Sequence, residues 1–87
     1  VVKVCYYTRR GCHLCDVMLE ELLPLLRGRA EIQLRDIDSN PEWLRRHDIR
    51  VPVVEVNGEI ISEYPLDRAA IGLFLAGLPD SEGQSRE

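Results

Sequence analysis

VVKVCYYTRRGCHLCDVMLEELLPLL, spanning Val1–Leu26, opens the chain. Val1 to Tyr7 is a β-branched and aromatic run, the pattern of a buried strand. Thr8-Arg9-Arg10-Gly11 breaks it. Leu14, Val17, Met18, Leu22 and Leu25 then recur at the three- and four-residue spacing of an amphipathic helix. Pro24 lies inside that pattern. It lacks an N–H and clashes with the preceding turn, so it is expected to kink the helix or end its regular part. Gly28 is a C-terminal stop. At the strand-to-helix joint sits Gly11-Cys12-His13-Leu14-Cys15-Asp16, a C-x-x-C.

The remaining elements follow from local punctuation. Glu31 to Ile37 alternates apolar and polar residues, as a second strand does. Asp38-Ser39-Asn40-Pro41 pairs a capping side chain with proline at the first helical position, which predicts a short helix from Pro41 to His47 carrying Trp43 and Leu44. Pro52 precedes a third strand, Val53 to Val56. Asn57-Gly58 is a two-residue hairpin signal, and Glu59 to Ser62 is the returning strand. Asp67 caps a final helix with apolar residues at Ala70, Ile71, Phe74, Leu75 and Leu78. The order is β-α-β-α-β-β-α. Strands separated by helices imply parallel pairing, and the hairpin adds an antiparallel edge. The expected fold class is α/β, a four-stranded mixed sheet packed by helices. One domain is expected over residues 1–78, with a polar, disordered tail over residues 79–87.

Composition narrows the functional classes. The 87 residues make one small domain, and 45% hydrophobic content supplies one modest core. Eleven Lys and Arg against fifteen Asp and Glu leave a net charge of −4. That argues against a nucleic-acid binder and against a polybasic membrane-surface protein. No apolar run approaches the roughly 18 residues of a membrane span, and the opening residues do not read as an export signal. Three cysteines are too few, and odd in number, for a secreted disulfide scaffold. The expected compartment is the reducing cytoplasm, where paired cysteines are catalytic or metal-binding. A monomer is the default expectation.

The C-x-x-C suits redox chemistry. Residues three apart on a helical turn lie within reach of a disulfide after small adjustments. A helix N-terminus presents free N–H groups and partial positive charge, which favour a thiolate. Cys12 precedes the first turn and is expected to be exposed and nucleophilic. Cys15, one turn in on the side of Leu14 and Met18, is expected to be buried and resolving. Arg9, Arg10 and a protonated His13 add positive potential near Cys12, while Asp16 discourages a thiolate on Cys15. His13 and the two arginines read equally well as solvated surface residues. Cys5, mid-strand, is expected to be a buried, inert core cysteine. A zinc site joining it to Cys12, Cys15 and His13 would require a strand-interior side chain to reach the loop at the strand's end. Val51-Pro52 opens a strand after an irregular segment and is the kind of bond with a real cis population, which would leave the Val51 backbone for an extended substrate. Tyr6, Tyr7 and Tyr64 are expected to pack on the sheet with wet hydroxyl tips.

Strand, T-R-R-G-C-H-L-C-D, helix, strand ending D-I-D, short helix, R-V-P-V, N-G hairpin and terminal helix together resemble a glutaredoxin-like protein of the thioredoxin superfamily, over residues 2 to 78. The G-C-H-L-C motif is similar to that of a small bacterial glutaredoxin-like family. The resemblance implies a thioredoxin-like fold, Cys12 as nucleophile, Cys15 as resolving cysteine and a cis Val51-Pro52 facing them. It implies no tightly bound cofactor and no metal, and glutathione as reductant. Glutathione would be held by Arg9 or Arg10, by the Val51 backbone and by the turn before the last helix. That turn departs from the family's Gly-Gly pattern: it reads Ile61-Ser62-Glu63-Tyr64-Pro65-Leu66-Asp67, leaving Asp67 as a glutathione ligand or a plain cap. The same stretch faintly resembles glutaredoxin-like ribonucleotide reductase donors that are reduced by thioredoxin reductase. The expected partners are glutathione or that reductase, and a protein or small-molecule disulfide. Two other classes compete. Small copper chaperones also carry C-x-x-C between a first strand and helix, for Cu(I), but follow β-α-β-β-α-β order. A redox-inert binding module on the same fold is the third.

Overall fold

In a computed structural model, which describes residues 2–78, strand β1 (Lys3–Thr8) runs through the middle of the molecule and is covered on both faces. Val4 and Tyr6 face one side, and Cys5 and Tyr7 the other. Burial on both faces is why the segment reads as an unbroken apolar run. Helix α1 (His13–Leu26) follows, and it buries Cys15, Met18, Leu22 and Leu26. The helix continues for two residues beyond Pro24, so the proline does not end it. Leu14, assigned by spacing to the apolar face, is 44% exposed instead. It lies in the first turn, beyond the edge of the buried stripe. Gly28 adopts φ +77°, the left-handed conformation that closes a helix end.

Strand β2 (Glu31–Asp36) passes into a single 3-10 turn, Ile37–Ser39, and then helix α2 (Pro41–His47). Asn40 caps α2: its Oδ1 accepts from the Glu42 N–H at 2.9 Å and the Trp43 N–H at 3.4 Å. Strands β3 (Val53–Val56) and β4 (Glu59–Ser62) form the hairpin, with Asn57 and Gly58 both at positive φ. Helix α3 (Arg68–Ala76) closes the described chain, capped by the Asp67 carboxylate on the Ala70 N–H at 3.0 Å. The stretch expected to be a disordered tail lies outside the described residues.

The sheet order is β2-β1-β3-β4. β1 and β2 are parallel, as expected across a helix. β3, however, is antiparallel to β1, contrary to the rule that helix-separated strands run parallel. Both ends of the connection are held at one end of the sheet: Asp38, before α2, and Asp48, after it, both pair with Arg9 just past the end of β1. The chain therefore enters β3 from the end at which β2 left.

The main core lies between the sheet and helices α1 and α3, around Val4, Tyr6, Met18, Leu22, Val54 and Ile71. A smaller cluster under α2 joins Tyr7, Ile37 and Val53 to Trp43 and Leu44. Cys5 is only half-buried on the α2 face, with its Sγ 3.9 Å from Gln33 Oε1, because α2 is too short to cover that end of the strand. Tyr6 and Tyr7 are fully buried, hydroxyls included, and find internal partners rather than water.

Candidate active site

The topology sets four loops at one end of the sheet. β1 and β2 finish there, β3 begins there and β4 finishes there. The Arg9–Cys12 loop, the 3-10 turn, the segment from Asp48 to Pro52 and the segment from Glu63 to Asp67 therefore all lie at that end. Every candidate residue read from the sequence belongs to this end: Arg9, Arg10, Cys12, His13, Cys15, Val51, Pro52 and Asp67.

Cys12 is the N-cap of α1 and Cys15 lies in its first turn. The two are joined as a disulfide, with Cα atoms 5.2 Å apart. Cys12 occupies the place usually taken by a serine hydroxyl: its Sγ accepts the Cys15 backbone N–H at 3.1 Å. The two sulfurs are not equivalent, since Cys12 is half-buried whereas Cys15 is 0% exposed. Beneath the pair, the Tyr6 hydroxyl donates to the Cys15 carbonyl oxygen at 2.6 Å. Burial, then the nearby charges of Asp16 and Glu21, push the Tyr6 hydroxyl well above its ordinary value, so it remains a protonated donor. The strand thereby holds the first turn of the helix at the carbonyl of its buried cysteine. Sequence reading missed this bond, because the register that brings residue 6 beneath residue 15 is tertiary.

Arg9 is paired within the chain. Its Nη2 and Nε donate to Asp38 at 2.8 and 3.0 Å, and its Nη1 donates to Asp48 Oδ1 at 3.1 Å. Expected as a solvated charge or a glutathione ligand, it ties the C-x-x-C loop to the two ends of the α2 segment. The Arg9 guanidinium hydrogen-bonded to Asp38 holds that carboxyl below the ordinary carboxylate range. Arg9 also accepts the Cys12 N–H on its carbonyl at 3.1 Å. Arg10 and His13 are exposed beside the disulfide. A shallow groove of about 340 Å³, lined by Thr8, Arg9, Arg10, Gly11, Asp16 and Asp36, runs along this side of the loop.

The Val51-Pro52 bond is cis, with Pro52 buried and Val51 half-buried. A second cis bond, Tyr64-Pro65, was not anticipated. The loops bearing the two prolines are joined by Arg50 and Glu63 at 3.9 Å. The Asp67 carboxylate is engaged as the α3 cap, while its backbone N–H donates to the Ser62 hydroxyl at 2.9 Å. Among the described residues, no three His, Cys, Asp or Glu side chains converge as metal ligands. Cys5, half-buried on the α2 face of β1, is not part of the C-x-x-C loop.

Behind the site, on the α2 side, lies a polar network that sequence reading also missed. The Tyr7 hydroxyl donates to Glu55 Oε1 at 2.7 Å and accepts from Arg35 at 2.7 Å. Arg46 closes on Glu55 Oε2 at 2.7 Å. Burial disfavours the Arg46 charge, but the hydrogen bond and charge of Glu55, together with Tyr7, outweigh it. Burial and the Glu55 hydrogen bond likewise raise the Tyr7 hydroxyl above its ordinary range, against the lowering effect of Arg35. A signal was present: Glu55 is the one charge in the apolar run Val53-Val54-Glu55-Val56, and period-two alternation sets it on the face of Val53.

Comparison with known proteins agrees with the geometry. The model of the glutaredoxin-like domain (DUF836) family matches residues 3–76. Among solved structures, a structural-genomics target protein, XcR50, from X. campestris is similar, with TM-score 0.66 and 28% identity over 87% of this chain and 99% of that one. A malarial protein aligns with TM-score 0.60 and 19% identity over 91% of this chain and 99% of that one. Thioredoxin-2 of the malaria parasite aligns with TM-score 0.59 and 19% identity, covering 85% and 81%. At 19% identity, these last two show the thioredoxin-like fold alone. No curated protein matches the sequence. With its paired Cys12 and Cys15 at the head of α1 and a family match across nearly all its described length, the chain belongs to the glutaredoxin-like domain family.

Proposed function

We propose that the chain is a thiol–disulfide oxidoreductase working through the Cys12–Cys15 couple in a reducing cytoplasm. The observation that carries this reading is the unequal burial of two paired cysteines at a helix N-terminus, with the Cys15 N–H aimed at Cys12 Sγ at 3.1 Å. In the reduced protein that N–H and the helix end stabilise a Cys12 thiolate. The thiolate attacks one sulfur of a substrate disulfide. A mixed disulfide forms, and the other substrate thiolate leaves. Cys15 gives up its proton and attacks Cys12 Sγ, which releases the second substrate thiolate and closes the Cys12–Cys15 bond. Two electrons pass from the dithiol to the substrate. Two molecules of glutathione restore the dithiol and leave as glutathione disulfide.

Arg10 and His13, exposed beside Cys12, are the cationic groups offered to glutathione, and the Val51 backbone beside the cis proline is its extended partner. Two observations favour a second donor, a thioredoxin-reductase-type flavoprotein. Arg9 is already neutralised by two aspartates, and Glu63-Tyr64 stands exposed in the turn before α3.

The test is equilibration in glutathione redox buffers, alkylation of free thiols and intact-mass measurement. Cys12 and Cys15 are expected to convert together between dithiol and disulfide. Cys12→Ser abolishes the exchange, and Cys15→Ser accumulates a Cys12 adduct. An adduct with glutathione favours glutathione as donor; a couple reduced only by the flavoprotein favours the second. Independent thiols throughout would remove the oxidoreductase reading in favour of soft-metal binding or an inert binding module.

A further inference from the structure

Strand β2 is an edge of the sheet: β1 pairs with one side of it, and among the described residues nothing pairs with the other. An unpaired strand edge is a template for another strand. On this edge Glu31, Gln33 and Arg35 share the α2 face, while Ile32 and Leu34 share the α1 face, in register with Val4 and Tyr6. Leu34 is 56% exposed. A groove of about 280 Å³ lined by Leu23, Leu26, Arg27, Ala30 and Ile32 lies on that same face.

Charge selects the occupant. Glu31 and Arg35 stand symmetrically about Gln33, and neither makes an ion pair among the described residues. A two-fold axis normal to the sheet reverses the strand and keeps each face continuous, so opposed residues must share a face. With Gln33 on the axis, Glu31 of each copy faces Arg35 of the other, and Ile32 faces Leu34, each pair occurring on both sides of the axis. Moving the axis to Ile32 opposes Arg29 to Arg35, a like-charge pair. Moving it to Leu34 opposes Ile32 to Asp36 and loses the Glu31–Arg35 pairs. One register is complementary in both charge and hydrophobicity.

We propose that β2 is a homodimer edge, with two copies pairing antiparallel through Glu31–Asp36 around Gln33. The Leu34 of each copy then packs on the other's Ile32 at the mouth of the apolar groove. Arg35 is already held by the Tyr7 hydroxyl and stacked 4.9 Å from the Trp43 ring, so it loses little freedom on pairing. The joined sheet has eight strands, twice the four of one copy, and its two C-x-x-C sites open at opposite ends.

Sedimentation equilibrium of the full chain tests this. The mass is expected to rise with concentration from the 10.0 kDa monomer to twice that value. Glu31→Arg and Arg35→Glu should each remain monomeric, because each sets like charges opposite one another. Their equimolar mixture should dimerise again, because both cross-strand pairs are then opposite in sign. Leu34→Asp, at an exposed position, should also be monomeric, which keeps the test independent of the contacts Arg35 makes with Tyr7. A wild-type chain that stays at 10.0 kDa throughout overturns the proposal. So does a dimer that survives both Glu31→Arg and Leu34→Asp, or a mixture that fails to reassociate.

Discussion

His47 closes α2 as a buried residue, 2% exposed, with its ring stacked 4.2 Å from that of Tyr7 and neither ring nitrogen hydrogen-bonded among the described residues. Burial, then the charges of Arg46 and Arg50, lower its affinity for a proton below the ordinary value of 6.5; Glu55 and Glu63 act the other way and do not prevail. The folded chain therefore takes up this proton at lower pH than the unfolded chain. The neutral ring is fully compatible with folding above pH 6.5, and stability falls as the pH drops through that value. One proton limits the slope to about 1.4 kcal/mol per pH unit. Denaturant titrations from neutral into mildly acid solution should show this loss in the wild type. His47→Phe, which keeps a ring against Tyr7, should flatten it. An unchanged slope in the variant would assign the acid sensitivity to another group.

Among the elements, the joint between β1 and α1 depends on Arg9. One side chain reaches Asp38 in the 3-10 turn and Asp48 at the end of α2, while its backbone carbonyl holds the Cys12 N–H. All three side chains are substantially exposed, so the clamp adds little to global stability. Its effect is local: it fixes the loop that presents Cys12. Arg9→Met should speed hydrogen exchange at Gly11 and Cys12 while leaving the unfolding midpoint nearly unchanged. The clamp should also respond to acid. The depressed Asp38 carboxyl contributes above the ordinary value of 3.8, and that contribution is lost as the pH falls below it. Protection of the loop amides, taken against their intrinsic exchange at each pH, should therefore fall in that acid range in the wild type and be low at all pH values in Asp38→Asn. Equal loop exchange in Arg9→Met and the wild type would show that the backbone alone holds the loop.

Across the whole molecule, what could be read from the sequence was what local chemistry dictates. Asn40-Pro41, Asn57-Gly58 and Asp67 each act within one turn, and each marks its element to within a residue. The sense of β3 was not legible, because it depends on Asp38 and Asp48 both closing on Arg9, a tertiary contact. The partners of Tyr6, Arg9 and Glu55 were hidden too, since each lies on another element. The C-x-x-C itself was visible, and its position raises a last question, which redox form is the more stable. The disulfide closes a loop with a sequence separation of only 3. In the chain-entropy model, so short a loop stabilises the oxidised fold by about 2 kcal/mol. A thiolate at a helix N-terminus favours the reduced fold by about 1 kcal/mol or less. The Cys15 N–H on Cys12 Sγ is present with the disulfide closed, so it is not a gain of the reduced form alone. Loop closure is therefore expected to win, leaving the oxidised protein more stable by about 1 kcal/mol. Paired urea denaturations with and without dithiothreitol, at one protein concentration, measure the difference directly. A reduced form more stable than the oxidised one would mean that thiolate stabilisation exceeds loop closure, and the couple would then be poised to donate a disulfide rather than to reduce one.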